Sequence, residues 1–300
     1  MAEFDINSRV FLDLHDVVPD GEFTKQRMEK IERVFIKSTF HSTLFSSIEP
    51  SKFVIVPNGI NVDTFKDSPC MTCGGTGKSG QEVCLACMGT GSGEKRNPKL
   101  LINTSSPDRS ISAVIKGFKK IKEMMPDVEC VWAYGWGVYE TAHRSDPARL
   151  AWKEQIQKEM KEAGIVEMGR ISHQEIAKLY RKANVFFYPS EFAEIDCISL
   201  SKAMAAGAIP VTTDFSAMGD KVGHGGYFAH SKKTKDTWAP RGVHDFAVTD
   251  EKLLDEIVSK TIEILKDSPT ESSRIPMREW SMETFNWDSI SKVWCQKFQS

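Results

Sequence analysis

Three sets of side chains in this sequence have the types and spacing to do chemistry. Four of its seven cysteines form two C-x2-C pairs, Cys70/Cys73 and Cys84/Cys87. Two such pairs offer four thiolates, the number a structural zinc ion takes, and the glycines behind each pair let backbone amides turn toward the sulfurs. With every position filled by thiolate, such a metal has no open site for substrate and holds structure. Unmetallated or redox-active cysteines are the alternative. The second set is cationic: Arg109 closes Ser105-Ser106-Pro107-Asp108-Arg109 between a strand pattern and a helix pattern. A cation there can meet a diphosphate; otherwise it is a surface residue at a helix start. In the third, Glu194 and its followers Ile195, Asp196 and Cys197 lie between the apolar run Val185 to Tyr188 and an Ala-rich segment carrying Lys202. Glu194 is placed to hold a ligand's hydroxyls, or is a surface acid favoured by the helix dipole.

The elements that position these residues follow from patterning. Residues 9–18, 34–37 and 53–56 read as strands, with helices at 24–32 and 40–47 between them. From Asn97 the alternation resumes: strand 99–103, helix 110–124, strand 128–133, a helical segment near 146–163, a short strand before Gly169-Arg170, helix 173–182 and strand 185–188. Gly207 is a helix C-cap ahead of strand 209–213, a Gly-rich loop spans Val222 to Tyr227, and 252–265 is an amphipathic helix. Strands alternating with helices predict parallel α/β sheets, whose loops at the carboxyl edge bind ligands.

Composition narrows the function. The 300 residues suffice for two domains, and 40% hydrophobic content for real cores. The 39 basic and 41 acidic side chains nearly cancel, so no global field draws in nucleic acid or anionic membrane. Lys232, Lys233 and Lys235 read as a solvated loop. No apolar run approaches the ~20 residues of a membrane helix, and the first residues form no leader, so the reading is a soluble cytoplasmic protein. Gly74 to Ser79, GGTGKS, mimics a phosphate-binding loop but has Thr72 where glycine is needed and no buried strand before it. Nucleotide hydrolysis there is rejected.

The stretch Tyr188 to Thr213, with Pro-Ser, an acidic residue, Ala-Met-Ala-Ala-Gly and then Pro-Val, resembles the donor-binding signature of retaining GT-B glycosyltransferases of the group 1 type. Val56 to Phe65 resembles the family's interdomain stretch, and the helix after Phe285-Asn286-Trp287 its terminal helix. The resemblance implies an α/β fold of two Rossmann-like parallel sheets with helices on both faces. It divides the chain into a partial acceptor-side domain (1–65), a zinc-knuckle insert (66–97), a donor domain (98–280) and a returning C-terminal helix (281–300). The repeated CxxCxGxG resembles a DnaJ-type zinc finger with two repeats instead of four.

In the family two glutamates with seven residues between them hold the sugar nucleotide. Glu194 matches the first, but Lys202 stands at the second. Lys202 either takes part of the diphosphate charge or pairs with Glu194 or Asp196. Arg109 matches the later of two diphosphate-binding cations, and Thr104 stands near the earlier. The resemblance also places Tyr134-Gly135 and Gly169-Arg170 beside the nucleobase, and His15, with Asp16, across the cleft from the transferred sugar. The implied activity is transfer of a sugar from a nucleoside diphosphate sugar to an unidentified acceptor, with retention and without metal in the chemistry. A polypeptide completing the first domain is a further expected partner. The competing reading is an inactive binding protein that docks through its knuckle; a DnaJ-like chaperone lacks its His-Pro-Asp motif.

Overall fold

The computed structural model describes residues 8–66, 69–74, 76, 78–85, 93, 95–237 and 245–299. The chain opens with β1 (Val10–Asp13), α1 (Lys25–Glu29), β2 (Ile31–Ile36), α2 (Thr39–Ser42) and β3 (Phe53–Ile55), and the strands form a parallel sheet in the order β1-β2-β3. A small antiparallel hairpin, β4 (Lys78–Ser79) and β5 (Glu82–Val83), lies in the cysteine-rich insert. Next come β6 (Asn97–Asn103), α3 (Pro107–Met124), β7 (Glu129–Trp132), α4 (Gly137–His143), α5 (Pro147–Ala163), β8 (Val166–Glu167), α6 (His173–Lys182) and β9 (Ala183–Phe187). The chain ends with α7 (Ile198–Ala205), β10 (Ile209–Thr213), α8 (Ala217–Val222), β11 (Tyr227–Ala229), α9 (Glu251–Asp267), α10 (Glu271–Thr284) and α11 (Trp287–Gln299).

The second sheet is parallel throughout, in the order β11-β10-β9-β6-β7-β8. Its strands are apolar on both faces because helices cover both. Successive side chains alternate: Leu101, Val185 and Phe187 pack beneath α3, α5 and α9, whereas Leu100, Ile102 and Phe186 face α6, α7 and α10. Local signals fix the helix ends. Pro107 stands in the first turn of α3, Ser172 and Glu175 form a capping box on α6, and Asp250 accepts from the amides of Lys252 and Leu253 at the start of α9.

Several sequence expectations change at their boundaries, and the helix expected at 24–32 ends at Glu29, where β2 takes over from Ile31. The first strand stops at Asp13 rather than Val18, β2 starts three residues before Val34, and the helix expected at 40–47 covers only Thr39–Ser42. Past Asp13 the chain turns out to solvent, where His15 and Asp16 are exposed. Helix α10 was not anticipated. It carries Pro276 inside, and its buried side chains are Arg274, Met277 and Ser281, too mixed for an apolar period. Arg274 is only 2% exposed; its guanidinium donates to the carbonyls of Gly207 (2.7 Å) and Asn184 (3.3 Å) and to the Asn184 side chain (2.5 Å). Burial pushes its pKa down to about 10, with the neighbouring Arg96 adding to the effect.

The two sheets meet through the 56–65 linker and α11. Ile60 donates its amide to the Phe285 carbonyl at 2.7 Å, and Trp294 on α11 stacks on the buried Phe35 of β2 with ring centroids 3.8 Å apart. Gly59 leaves room for Trp287 at the start of α11: a Cβ there would lie 2.4 Å from its ring. Gly59→Ala is therefore expected to lower stability by roughly 1–3 kcal/mol through overpacking, read as a lower midpoint in urea. An unchanged midpoint would show that α11 is not seated by the linker. Among the described residues no helix is long and apolar enough to cross a membrane.

Candidate functional site

The carboxyl edge of the second sheet gathers the loops after β6, β7 and β9. Glu194, 5% exposed, sits in the β9–α7 loop, and its Oε1 accepts two hydrogen bonds of 2.7 Å, from Arg109 Nη1 and from the Tyr188 hydroxyl. Its Oε2 has no hydrogen bond among the described residues. Arg109 reaches it from the first turn of α3, and its guanidinium lies 4.4 Å from the centroid of the Phe192 ring. Burial works to lower the Arg109 pKa, but the Glu194 carboxylate overrides it and holds the cation above its ordinary value. Ser190 closes the arrangement by donating to the Arg109 carbonyl at 2.7 Å. Sequence reasoning named Arg109 and Glu194 separately; the structure joins them across 85 residues.

Asp196 and Cys197 take a different place. Asp196 is 2% exposed: its Oδ1 accepts from Lys221 Nζ at 2.5 Å, and its Oδ2 accepts from the Asn58 amide at 2.8 Å and side chain at 2.6 Å. The loop is thereby tied to the linker between the sheets. Lys221 also donates to Ser201 Oγ at 2.9 Å. Cys197 is buried with φ +57°, a strained left-handed backbone at the start of α7, and burial pushes its thiol pKa up, with Glu194 adding to the rise. Ile195 is half-buried.

Lys202 pairs with neither acid. Glu194 belongs to Arg109 and Asp196 to Lys221 and Asn58, and Lys202 has no ion pair among the described residues, which removes the structural ion pair from the two roles open to it. It lines a cavity of 290 Å³ with Thr104, Tyr134, Arg170, His173 and Ser199. Burial lowers its pKa. Gly135 and Gly169, both at positive φ, bring the β7 and β8 loops together: a Cβ on Gly135 would lie 2.9 Å from the Arg170 amide. Thr104 is buried and hydrogen-bonded to the Tyr180 hydroxyl.

His15 follows β1 of the first sheet. It is exposed at the edge of the first sheet and bonded to Asp13, whose other oxygen accepts from Lys37 Nζ at 2.6 Å. In the insert, the sulfurs of Cys70, Cys73 and Cys84 lie within 4.8 Å of one another, with Cys70 and Cys84 buried and 4.0 Å apart. Cys87 lies outside the described residues.

Sequence reasoning missed Tyr188, Phe192, Asn58 and Lys221, whose roles depend on packing between distant segments. It also missed Asp245. The loop carrying Asp245 packs against Asp108, whose carbonyl accepts from the Phe246 amide at 2.7 Å. Asp245 Oδ2 is buried without a partner among the described residues, and burial pushes its pKa up to about 6, with Asp108 adding to the rise. A raised carboxyl pKa favours folding while the group is protonated. That contribution is whole below about pH 4 and is lost as pH rises through about 6. Asp245→Asn is therefore expected to stabilise the fold above pH 7 by up to about 2 kcal/mol and to leave it nearly unchanged at pH 4. Melting curves at both pH values check this, and an equal effect at both would contradict it.

The family model for glycosyl transferases group 1 matches residues 90–268. No curated protein matches the chain by sequence. Solved structures of similar fold include Anabaena HepE in complex with UDP and glucose, at 12% identity and a TM-score of 0.64, covering 97% of this chain and 71% of that one. Sucrose-phosphate synthase of Thermosynechococcus elongatus matches at 14% identity and a TM-score of 0.61, over 98% of this chain and 68% of that one. The pneumococcal O-GlcNAc transferase GtfA, in complex with UDP and GlcNAc, matches at 15% identity and a TM-score of 0.60, over 93% and 47%. These likenesses show the fold, the GT-B arrangement of two Rossmann-like sheets. With the family match running through the Arg109 and Glu194 loops to the end of α9, over more than half of its length, the chain belongs to the group 1 glycosyltransferases.

Proposed function

We propose that the chain transfers a sugar from a nucleoside diphosphate sugar to an acceptor at the carboxyl edge of the second sheet. The observation that carries this is the Arg109–Glu194 pair, bonded at 2.7 Å and open to solvent on the arginine side, where the Arg109 side chain is 35% exposed. Arg109 stabilises the charge that develops on the departing diphosphate, the electrostatic step that contributes most in such transfers. Glu194 offers Oε2 to a sugar hydroxyl while Tyr188 and Arg109 hold its orientation. Tyr134-Gly135 and Gly169-Arg170 form the walls of the base-side cavity, and His15 faces the sugar from the first sheet. HepE and GtfA bind UDP with a sugar, which supports UDP as the first nucleotide to try. Retention at the anomeric carbon is part of this reading, supported by the family match.

The division into a partial acceptor-side domain, an insert, a donor domain and a returning helix belongs to this proposal, supported by the two sheets and by α11 packing on the first. So does zinc in the insert. Four thiolates about 2.3 Å from a tetrahedral zinc lie roughly 3.8 Å apart, and the 4.0 Å between Cys70 and Cys84 fits that edge. Cys70, Cys73 and Cys84 would hold the ion, with Cys87 as the fourth ligand, and the metal would fold the insert.

The test is release of nucleoside diphosphate from a panel of nucleotide sugars, with and without candidate acceptors. Turnover with one donor, lost in Glu194→Ala, supports transfer. Binding of a nucleotide sugar without turnover on any acceptor or water would instead support the inactive, binding form of this fold.

A further inference from the structure

We propose that the cavity lined by Lys202, Arg170 and His173 is a subsite for a phosphoryl group. It rests on the donor-site reading above and specifies what part of the ligand the cavity selects. The described residues lining the cavity bring a lysine, an arginine and a histidine together with the hydroxyl-bearing Thr104 and Ser199, and include no carboxylate. Lys202 and Arg170 have no ion pair among the described residues, and the acids near Lys202 in sequence are held elsewhere, Glu194 by Arg109 and Asp196 by Lys221.

A half-buried ammonium without a counter-ion is costly to the fold, and burial already lowers its pKa. An anion arriving in the cavity reverses that cost. Charge-assisted hydrogen bonds from Lys202 and Arg170 to phosphoryl oxygens are about twice as strong as neutral ones. A neutral diol offers this cavity no comparable gain, since an ammonium donates but cannot accept. At 290 Å³ the cavity sits at the lower end of ligand pockets and takes part of a nucleotide rather than all of it. Two sources supply the group: the donor's own diphosphate, or a further phosphate on its ribose.

Calorimetric titrations of wild type, Lys202→Met and Lys202→Glu test this, with uridine, UDP, inorganic pyrophosphate, and adenosine 3′,5′-bisphosphate beside AMP. The expected result is a tenfold or greater loss of affinity for phosphorylated probes in Lys202→Met, more in Lys202→Glu, with uridine unaffected. Loss for UDP and pyrophosphate identifies the diphosphate as the source. Loss confined to the bisphosphate identifies a ribose phosphate. The ligand-free Lys202→Met protein is also expected to melt no lower than wild type, because no partner loses its contact. Unchanged or tighter binding of UDP, pyrophosphate and the bisphosphate alike by Lys202→Glu would overturn the proposal.

The arms separate it from the reading it rests on. If UDP binding depends on Arg109 but not on Lys202, and no other phosphorylated probe depends on Lys202, the donor site stands and the subsite falls. If pyrophosphate binds through Lys202 while no nucleotide binds, the subsite stands and the donor site falls.

Discussion

Arg109→Ala is expected to lower sugar transfer by about 10²- to 10³-fold in kcat, the loss seen when one preorganised donor to a developing negative charge is removed. KM for the donor should rise less, because the guanidinium matters most when the diphosphate leaves. The substitution also strips the buried Glu194 of its cation, leaving only the Tyr188 hydroxyl on Oε1. Breaking a fully buried pair costs 3–5 kcal/mol; with a third of the Arg109 side chain exposed, about 2 kcal/mol is expected here. Arg109→Ala and Glu194→Gln should therefore be compared by melting as well as by turnover. Glu194→Gln keeps an acceptor for Tyr188 and Arg109 and should lose less stability, yet still lose turnover as the charge on the sugar-facing oxygen disappears. Wild-type turnover in a folded Arg109→Ala protein would remove this residue from the site.

The second large effect is on the insert. One zinc ion per chain is expected by elemental analysis, lost in Cys84→Ser. Zinc contributes about 10–16 kcal/mol to the folding of peptides that depend on it. Here that energy should be local, because among the described residues Cys70, Cys84 and Cys73 form a small cluster separate from the main cores. A strong chelator should therefore make the thiols of the insert reactive, and the hairpin susceptible to protease, while the main thermal transition stays within a few degrees. A chain without metal whose insert resists protease would contradict the zinc site. Collapse of the whole fold on chelation would contradict its local character.

The second sheet was the most legible part of the sequence. Ile209–Thr213 and His173–Lys182 match their expected bounds, the first because an apolar run follows a glycine cap, the second because Ser172 and Glu175 mark the helix start. Helix α10 was illegible because its buried side chains are an arginine, a methionine and a serine, of which Arg274 and Ser281 bond to the carbonyls of Asn184, Gly207 and Ser201. The site shows the same division. The motif segments of Glu194, Arg109 and Lys202, in a loop, in the first turn of α3 and within α7, could be seen one by one, since each follows a strand. Their partners could not, because no local pattern says that Arg109 rather than Lys202 holds Glu194, or that Asn58 and Lys221 hold Asp196 from opposite sides. The free charge of Lys202 emerges only when every nearby acid has been assigned.

The central claim, that a nucleoside diphosphate binds at this edge with its phosphates on Arg109, is tested most directly by a crystal structure of the chain with UDP. The predicted result is a diphosphate within hydrogen-bond distance of the Arg109 guanidinium, with the nucleoside between Tyr134 and Arg170 and Glu194 Oε2 facing the position of the sugar. Density for UDP elsewhere, with the Arg109–Glu194 pair bare, would contradict it.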